Sequence, residues 1–315
     1  MKKLTALILS ILLIFSITAC TNQISNEGND KIKIVCTAFP QYDWAREITG
    51  YASDYDILLL GGGEDIHNFQ PSVEDIINLK SADAVIYIGG TSDNWVSEVL
   101  YGTDAKPLNM LECIGTFAKE EAHSEGMEEE HENHAHHEET ELDEHVWLSL
   151  KNAAVICKNI SDILTDISPE KRDMISQNTE RYIAKINALD VRYAETISDS
   201  ANKTLIFADR FPFLYMADDY NLSYYAAFPG CSAESEASFE TIAFLSKKLD
   251  ELALPAVMVT DGANIKMAET VLSSSENPNR RILSLSSMQS AARGESETYL
   301  SVMEQNLDTL RDALN

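Results

Sequence analysis

The sequence predicts an α/β protein of two (β/α)4-type lobes with parallel sheets, bridged by one long α-helix. Short apolar runs alternate with helical segments in both halves of the chain, which is typical of parallel sheets covered by helices. Between the halves, about thirty residues keep the apolar spacing of a single helix. At 315 residues the chain is long enough for two domains.

The first half of the chain, residues 31–167, contains four predicted strands and is the predicted N-terminal lobe. The strands are the segments KIKIVCTA, DYDILLL, DAVIYIG and PLNML. The helices between them are PQYDWAREITG, PSVEDIINLKSA and SDNWVSEVLY. We expect Gly50 to end the first helix and Pro71 to open the second, because these residue types favour helix ends and helix starts. A further helix is expected after Ser149.

The linking helix is predicted over residues 168–199, with a length of about 45 Å. Ser168 suits its cap and Pro169 its first position, and apolar side chains such as Tyr182 recur at helical spacing. Residues 200–315 resume the alternation, with strands KTLIFA, SYYAAF, PAVMVT and RILSLS. They form the predicted C-terminal lobe.

The N-terminus has the pattern of an export signal. A basic start is followed by a sixteen-residue apolar region, LTALILSILLIFSITA, which is short for a membrane span. It ends at Cys20 in ITAC, which resembles a bacterial lipobox. We therefore expect residues 1–20 to be a signal peptide, Cys20 to be lipidated, and residues 21–30 to be a flexible tether to the outer face of the cell membrane. An ordinary signal peptide with an incidental cysteine is the alternative.

Charge and cysteine content narrow the possible partners. The formal net charge of -27 repels polyanions, so we expect no nucleic-acid partner, and we expect a monomer. The remaining cysteines are Cys36, Cys113, Cys157 and Cys231. A location outside the cytoplasm permits disulfides, and three complete pairings of these four stay open.

An acidic, histidine-rich loop is predicted over residues 115–144. Residues 120–144 hold twelve carboxylates and no Lys or Arg, and a connection of this length indicates function or disorder. Five of the seven histidines of the chain lie in it: His123, His131, His134, His136 and His137. We expect these side chains to gather metal ions weakly. The alternative is a solvated acidic loop with incidental histidines.

Polar residues that follow predicted strands are candidate ligands, because ligands bind beyond the carboxyl ends of parallel strands. His67 follows the second strand, and His145 opens the helix after the loop. The carboxylates that follow strands in the second half are Asp209, Glu234, Glu236 and Asp261. Two imidazoles with carboxylates in one cleft suit a divalent cation. A surface histidine without a metal is the alternative for His67.

Several motifs occur in order along the chain. They are TAFPQYDWAREITG, GGGEDIHNFQPSVEDIINLKSADAVIYIGG, LDEHVWLSLKNA and RFPFLYMADDYNLSYYAAF. Together they resemble the zinc- and manganese-binding solute-binding lipoproteins of bacterial metal ABC importers, and collinear motifs are more specific than any one of them. The resemblance covers the chain from Lys31 to its C-terminus. It implies two α/β lobes, a rigid linking helix, and a metal cargo that passes from the interlobe cleft to a membrane permease with its ATPase.

The resemblance also implies ligands. His67 takes the first ligand position and His145 the second, with Asp143 placed to orient the ring of His145. The third position falls on Arg210, which cannot bind a cation, and the fourth falls near Ser286. The C-terminal lobe therefore departs from the family where its ligands belong.

We expect a replacement ligand in the C-terminal lobe, because zinc usually has three or four protein ligands. Asp209 is the first candidate, Glu234 and Glu236 come next, and Asp261 follows. Cys231 is a softer candidate. The alternative is that Arg210 pairs with Asp209 and that this lobe provides no ligand.

The predicted function is a non-enzymatic receptor for Zn²⁺, with Mn²⁺ less favoured because imidazole-rich sites suit later metals. One alternative is an extracytoplasmic zinc-dependent hydrolase, but the chain has no HExxH motif, and Glu144 beside His145 is a weak candidate base. A metal-binding adhesin or a zinc buffer on the same fold would also fit the sequence.

Overall fold

The computed structural model describes residues 31–61, 65–128, 141–232, 236–290 and 297–315. Residues 32–315 form one compact unit. The predicted signal peptide, the lipidated Cys20 and the tether lie outside the described residues. Within the described ranges, no helix is both long enough and apolar enough to cross a membrane.

The first half of the chain builds a four-stranded parallel sheet. Its strands are β1 (Ile32–Cys36), β2 (Tyr55–Leu59), β3 (Ala84–Tyr87) and β4 (Lys106–Asn109). Their order is β2-β1-β3-β4, with Ile34 opposite both Ile57 and Ala84. Every residue of β3 is buried, as expected for a parallel strand covered on both faces. The predicted parallel sheet is confirmed.

Four helices connect or follow these strands. They are α1 (Phe39–Thr49), α2 (Val73–Lys80), α3 (Trp95–Leu100) and α4 (Met110–Ile114). Gly50 ends α1 with a left-handed φ of 64°, which glycine adopts without strain. Two boundaries differ from prediction. Ser72 caps α2, so Pro71 precedes that helix, and Asn109 caps α4, so the predicted strand PLNML ends there.

The linking helix is confirmed and starts later than predicted. After α5 (Leu150–Ile167), which Ser149 caps as expected, the helix α6 runs over Arg172–Asp199. Its 28 residues span about 42 Å. Ser168 does not cap α6, because a short 3-10 turn at Pro169–Lys171 intervenes. The Ser168 hydroxyl instead accepts a hydrogen bond from the Tyr55 hydroxyl at 3.2 Å.

The second half builds another four-stranded parallel sheet. Its strands are β5 (Thr204–Phe211), β6 (Ser223–Pro229), β7 (Ala256–Thr260) and β8 (Arg281–Leu285), in the order β6-β5-β7-β8. Its helices are α7 (Leu214–Asp219), α8 (Phe239–Glu251), α9 (Lys266–Ser273) and α10 (Tyr299–Ala313). The two sheets therefore have equivalent strand orders.

Strand β5 is longer than the segment KTLIFA that predicts it. It continues to Phe211, with a shift in its register against β6 between Phe207 and Arg210. Asp209 and Arg210 therefore lie within an irregular part of the strand and not in a loop after it. A bulge of this kind bends a strand and redirects its side chains.

The linking helix joins the two lobes into a common core. The Tyr193 hydroxyl of α6 donates to Met303 O of α10 at 2.6 Å. Asn178 of α6 donates to Ile48 O of α1 at 3.1 Å. One hydrophobic cluster contains buried side chains from both sheets and from α6. A core shared by both lobes resists sliding of one lobe over the other.

Candidate metal centre

Two buried imidazoles face each other where the lobes meet. His67 lies beyond the end of β2, and His145 directly precedes the short 3-10 helix Val146–Leu148. Their Nε2 atoms are 3.2 Å apart. His145 is fully buried, and the His67 side chain is 8% exposed. The structure thus brings together two predicted ligands that are 78 residues apart.

The ring of His145 is held by Asp143. The Nδ1 atom of His145 lies 3.1 Å from Asp143 Oδ1, and the same oxygen accepts the backbone N–H of His145 at 2.8 Å. A carboxylate at Nδ1 keeps the proton on that nitrogen and leaves the Nε2 lone pair available for a metal. The geometry matches the orienting role expected for Asp143.

The ring of His67 is held by Ser92 and Glu144. The Ser92 hydroxyl lies 2.7 Å from His67 Nδ1 and donates its own proton to Glu144. Ser92 N also donates to Glu144 Oε1 at 2.7 Å. Because the hydroxyl proton goes to the carboxylate, the hydroxyl oxygen accepts from Nδ1–H. This relay leaves the Nε2 lone pair of His67 directed at His145.

Glycine at position 90 makes room for that relay. A Cβ atom on Gly90 would overlap the side chain of Glu144. Glu144 is 1% exposed, and its burial raises the pKa of the carboxyl group. Glu144 therefore faces Ser92 and His67, and it has no open position in which to act as the base of a hydrolase.

A thiol from the C-terminal lobe reaches the imidazole pair. The metal-binding atoms of His67, His145 and Cys231 all lie within 4.8 Å of one another. Burial, followed by the negative charge of Glu121, raises the pKa of the Cys231 thiol. Among the described residues the four cysteines Cys36, Cys113, Cys157 and Cys231 are free thiols.

Gln289 closes the site from the loop after β8. Its Nε2 atom lies 2.9 Å from His67 Nε2 and 2.5 Å from His145 Nε2, while its Oε1 accepts from the Ser287 hydroxyl at 3.0 Å. A half-turn of the carboxamide presents oxygen to a cation between the rings. Sequence reasoning placed the fourth position near Ser286 and missed Gln289, three residues further on. In the sequence, the only indication that Gln289 belongs to the site is its position after the predicted strand RILSLS.

Arg210 forms an ion pair across the two lobes. Its guanidinium lies 2.9 Å from Asp65 Oδ2 and donates to Ser232 O at 3.3 Å. It does not pair with Asp209, whose carboxylate instead accepts from Thr260 N at 3.0 Å and from the Thr260 hydroxyl. The two side chains thus bond to different partners, so the alternative pairing of Arg210 with Asp209 is wrong.

The other predicted ligands do not join the imidazole pair. Asp209 and Asp261 line a neighbouring cavity of about 320 Å³, and Asp261 accepts from Ser287 N at 2.8 Å. Glu236 is exposed, and Glu234 lies outside the described residues. None of the described carboxylates belongs to the cluster of His67, His145 and Cys231.

Burial and charge keep His67 neutral. Burial lowers the pKa of His67 to about 3, and the nearby His145 and Arg210 act in the same direction against the opposing effect of Asp65. Burial raises the pKa of Asp65, but its bonds to Arg210 and to the His67 N–H leave the net shift downward. A neutral imidazole is the form that binds a metal.

The two ends of the histidine-rich loop meet beside His145. Glu121 N donates to Glu141 O, and Asp143 N donates to Lys119 O, each at 2.9 Å. His123 is exposed, while His131, His134, His136 and His137 lie outside the described residues. The two ends of the loop are therefore ordered. The sequence did not predict this order, because the segment has no helical or strand periodicity.

Two buried imidazoles whose Nε2 atoms face each other between two parallel α/β lobes define a two-lobed metal-binding protein. The chain belongs to the family described as zinc-uptake complex component A, periplasmic, whose model matches residues 34–313.

Relatives and solved structures agree with this assignment. The chain is 30% identical over 321 residues to the zinc-binding protein AdcA of Streptococcus pyogenes serotype M3, covering 99% of this chain and 61% of the relative. It is 28% identical over 328 residues to the high-affinity zinc uptake system protein ZnuA of Bacillus subtilis, covering 99% and 98%. The chain thus spans about 61% of the length of its AdcA relative.

The Zn(II)-bound ZnuA-like domain of Streptococcus pneumoniae AdcA superposes with a TM-score of 0.70 at 25% identity, covering 90% of this chain and 99% of that one. A laminin-binding adhesin, Lmb, from Streptococcus agalactiae has a TM-score of 0.75 at 21% identity, covering 90% and 100%. The second likeness shows the fold alone.

Proposed function

We propose that this protein is the extracytoplasmic receptor subunit of a zinc ABC importer. It binds Zn²⁺ as cargo in the interlobe cleft, through Nε2 of His67 and of His145, and delivers it to a membrane permease driven by an ATPase. The names of the zinc-binding and zinc-uptake relatives support the cargo and the partners. One observation carries the proposal: the Nε2 atoms of two largely buried imidazoles lie 3.2 Å apart.

The spacing of the two nitrogens fits zinc. Tetrahedral zinc with Zn–N bonds of about 2.0–2.1 Å places two ligand nitrogens about 3.3 Å apart. The observed Nε2–Nε2 distance is 3.2 Å. Both Nδ1 atoms are already engaged by Ser92 and Asp143, so little reorganisation is needed when the ion enters.

Receptor function is favoured over hydrolysis. A zinc hydrolase needs an open coordination position and a base within reach of the bound water. Glu144 is buried and bonded to Ser92, so it does not meet that requirement. An adhesin function finds support only in the fold-level likeness to Lmb.

The flanking segments complete the proposal. We propose that residues 1–20 are a signal peptide, that lipidated Cys20 and residues 21–30 tether the chain outside the membrane, and that the lobes are joined through residues 168–199. A relative named zinc-binding lipoprotein AdcA, from Streptococcus pneumoniae serotype 4, supports the lipid anchor. The histidine-rich loop gathers zinc weakly beside the tight site.

Calorimetry on the metal-free chain lacking residues 1–20 tests the tight site. We expect one tightly bound Zn²⁺ and no turnover of ester or peptide substrates. The variant H67A/H145A loses the tight site because both imidazoles are gone, whereas His123→Ala, which changes an exposed histidine, keeps it. Unchanged tight binding in H67A/H145A would falsify the assignment of the site.

A further inference from the structure

The C-terminal lobe brings a thiol to the imidazole pair. Arg210 occupies the position at which the sequence pattern expects a ligand, and it is paired with Asp65. Asp209 is bonded to Thr260. Among the described His, Cys, Asp and Glu residues of this lobe, the one whose ligand atom clusters with both histidines is Cys231.

The chain around Cys231 is built for close approach to His145. A Cβ atom on the preceding Gly230 would lie 2.9 Å from Phe211 O and 3.2 Å from His145 Cε1. Both contacts are tighter than ordinary van der Waals contact. The absence of a side chain at Gly230 therefore lets the segment that carries the thiol pack directly against the imidazole ring.

Cys231 is also held by the residues around the site. Its backbone N–H donates to Glu121 Oε1 at 2.7 Å. Its thiol lies beside the backbone of Glu144. Glu144 belongs to the same short segment that provides His145 and that orients His67 through Ser92. A hydrogen bond of this kind holds the segment that carries a ligand in place.

We propose that Cys231 is a metal ligand from the C-terminal lobe, so that the cargo is held by two imidazoles and one thiolate beside the Gln289 carboxamide. The inference rests on the proposed receptor function and identifies the donor set of that site. On binding, the sulfur forms a bond to the metal and the thiol proton passes to solvent, because a coordinating thiol is deprotonated by the ion.

Distances agree with a small closure of the site. Tetrahedral zinc, with bonds of about 2.3 Å to sulfur and about 2.0–2.1 Å to nitrogen, places sulfur and nitrogen about 3.6 Å apart. The three ligand atoms now lie within 4.8 Å of one another, so a movement of about 1 Å completes the geometry. A donor set with a thiolate selects zinc and other soft or borderline ions, and it selects against Mn²⁺.

Cobalt(II) is the probe for this donor set, because a thiolate ligand gives it an intense charge-transfer band in the near ultraviolet. We expect the wild-type chain loaded with Co²⁺ to show that band. Cys231→Ser loses the band and binds zinc at least about 10–100-fold more weakly. Removing a residue that only orients a ligand already weakens metal binding by that factor, and removing the ligand itself should cost at least as much. Cys113→Ser, which changes the other half-buried thiol, keeps both properties.

X-ray absorption on the zinc-loaded wild-type chain provides a second measurement that needs no variant. One sulfur at about 2.3 Å from zinc supports the proposal, and a shell of nitrogen and oxygen alone overturns it. Retention of the cobalt band in Cys231→Ser also overturns it. If the wild-type chain has no tight metal site at all, the proposed receptor function fails instead, so the two failures are distinguishable.

Discussion

Asp143 and Glu144 are adjacent in the chain and support two different ligands. Asp143 bonds the ring of His145 directly, and Glu144 acts on His67 through the Ser92 hydroxyl. The two carboxylates reach different rings, so one dipeptide orients both imidazoles. The segment DEH therefore organises both halves of the imidazole pair.

Replacing Ser92 with alanine tests this support. The Ser92→Ala variant leaves His67 Nδ1 without its oxygen partner, so the ring loses its orientation. We expect zinc affinity, measured by competition with a chelator, to fall by about 10–100-fold while the fold persists. Ser97→Ala removes an exposed hydroxyl that bonds only to Asn94 O and serves as the control. Equal affinities for the two variants would contradict the proposed role of Ser92.

At the scale of elements, the histidine-rich loop is attached to the site by its own ends. Backbone bonds join Glu121 to Glu141 and Lys119 to Asp143. Further along, Glu128 N donates to Ala227 O of β6 at 2.9 Å, so the first arm of the loop rests on the C-terminal lobe. The described ends of the loop therefore lie close to His145.

Substituting the loop histidines separates weak from tight binding. In the variant with glutamine at positions 131, 134, 136 and 137, the exchangeable imidazoles are lost, so we expect fewer weakly bound zinc ions per chain. The tight site keeps its affinity because its ligands lie outside this segment. Calorimetric titration measures both classes of ion.

The H67A/H145A variant should give the opposite result: the weakly bound zinc ions are retained and the tightly bound ion is lost. A loss of tight binding in the loop variant would show that the loop and the cleft form one site.

At the scale of the whole molecule, buried polar bonds join the lobes through the linking helix. Asp43 of α1 accepts the backbone N–H of Tyr299 in α10 at 2.9 Å and the Tyr182 hydroxyl of α6 at 3.4 Å. Trp147 donates to Ser287 O at 2.8 Å, which connects the His145 segment to the Gln289 loop. Lobe packing and site geometry are thus coupled.

The Asp43 carboxyl makes the stability of the protein depend on pH. Burial raises the pKa of Asp43 to about 6, although the bond from Tyr299 N opposes the shift. The folded chain therefore binds more protons than the unfolded chain between about pH 4 and 6, and the free energy of unfolding falls as pH rises through that window.

We expect Asp43→Asn to remove this fall in the free energy of unfolding. The fall amounts to at most about 3 kcal/mol, because the pKa of Asp43 is shifted by about two units. Denaturant unfolding of metal-free protein at pH 4 and pH 7 measures it. Asp56→Asn, at an exposed position of β2, should leave the pH dependence of wild type unchanged. If the free energy of unfolding of Asp43→Asn depended on pH as steeply as that of the wild type, this result would contradict the assignment of the pH effect to the Asp43 carboxyl.

The sequence alone determined the α/β class, the two sheets, the linking helix and the pair His67 and His145. These follow from local patterns, because strand–helix alternation, helix spacing and short motifs are properties of neighbouring residues. Boundaries such as the late start of α6 were missed, because turn geometry depends on packing.

Only the tertiary structure decided what surrounds the two histidines. Gln289 lies 222 residues from His67 along the chain, and Arg210 lies 145 residues from Asp65. The bulge in β5 turns Arg210 toward Asp65, while the segment after β6 brings Cys231 to His145. Contacts over such separations are set by how two lobes pack on one helix, and no local pattern in the chain encodes them.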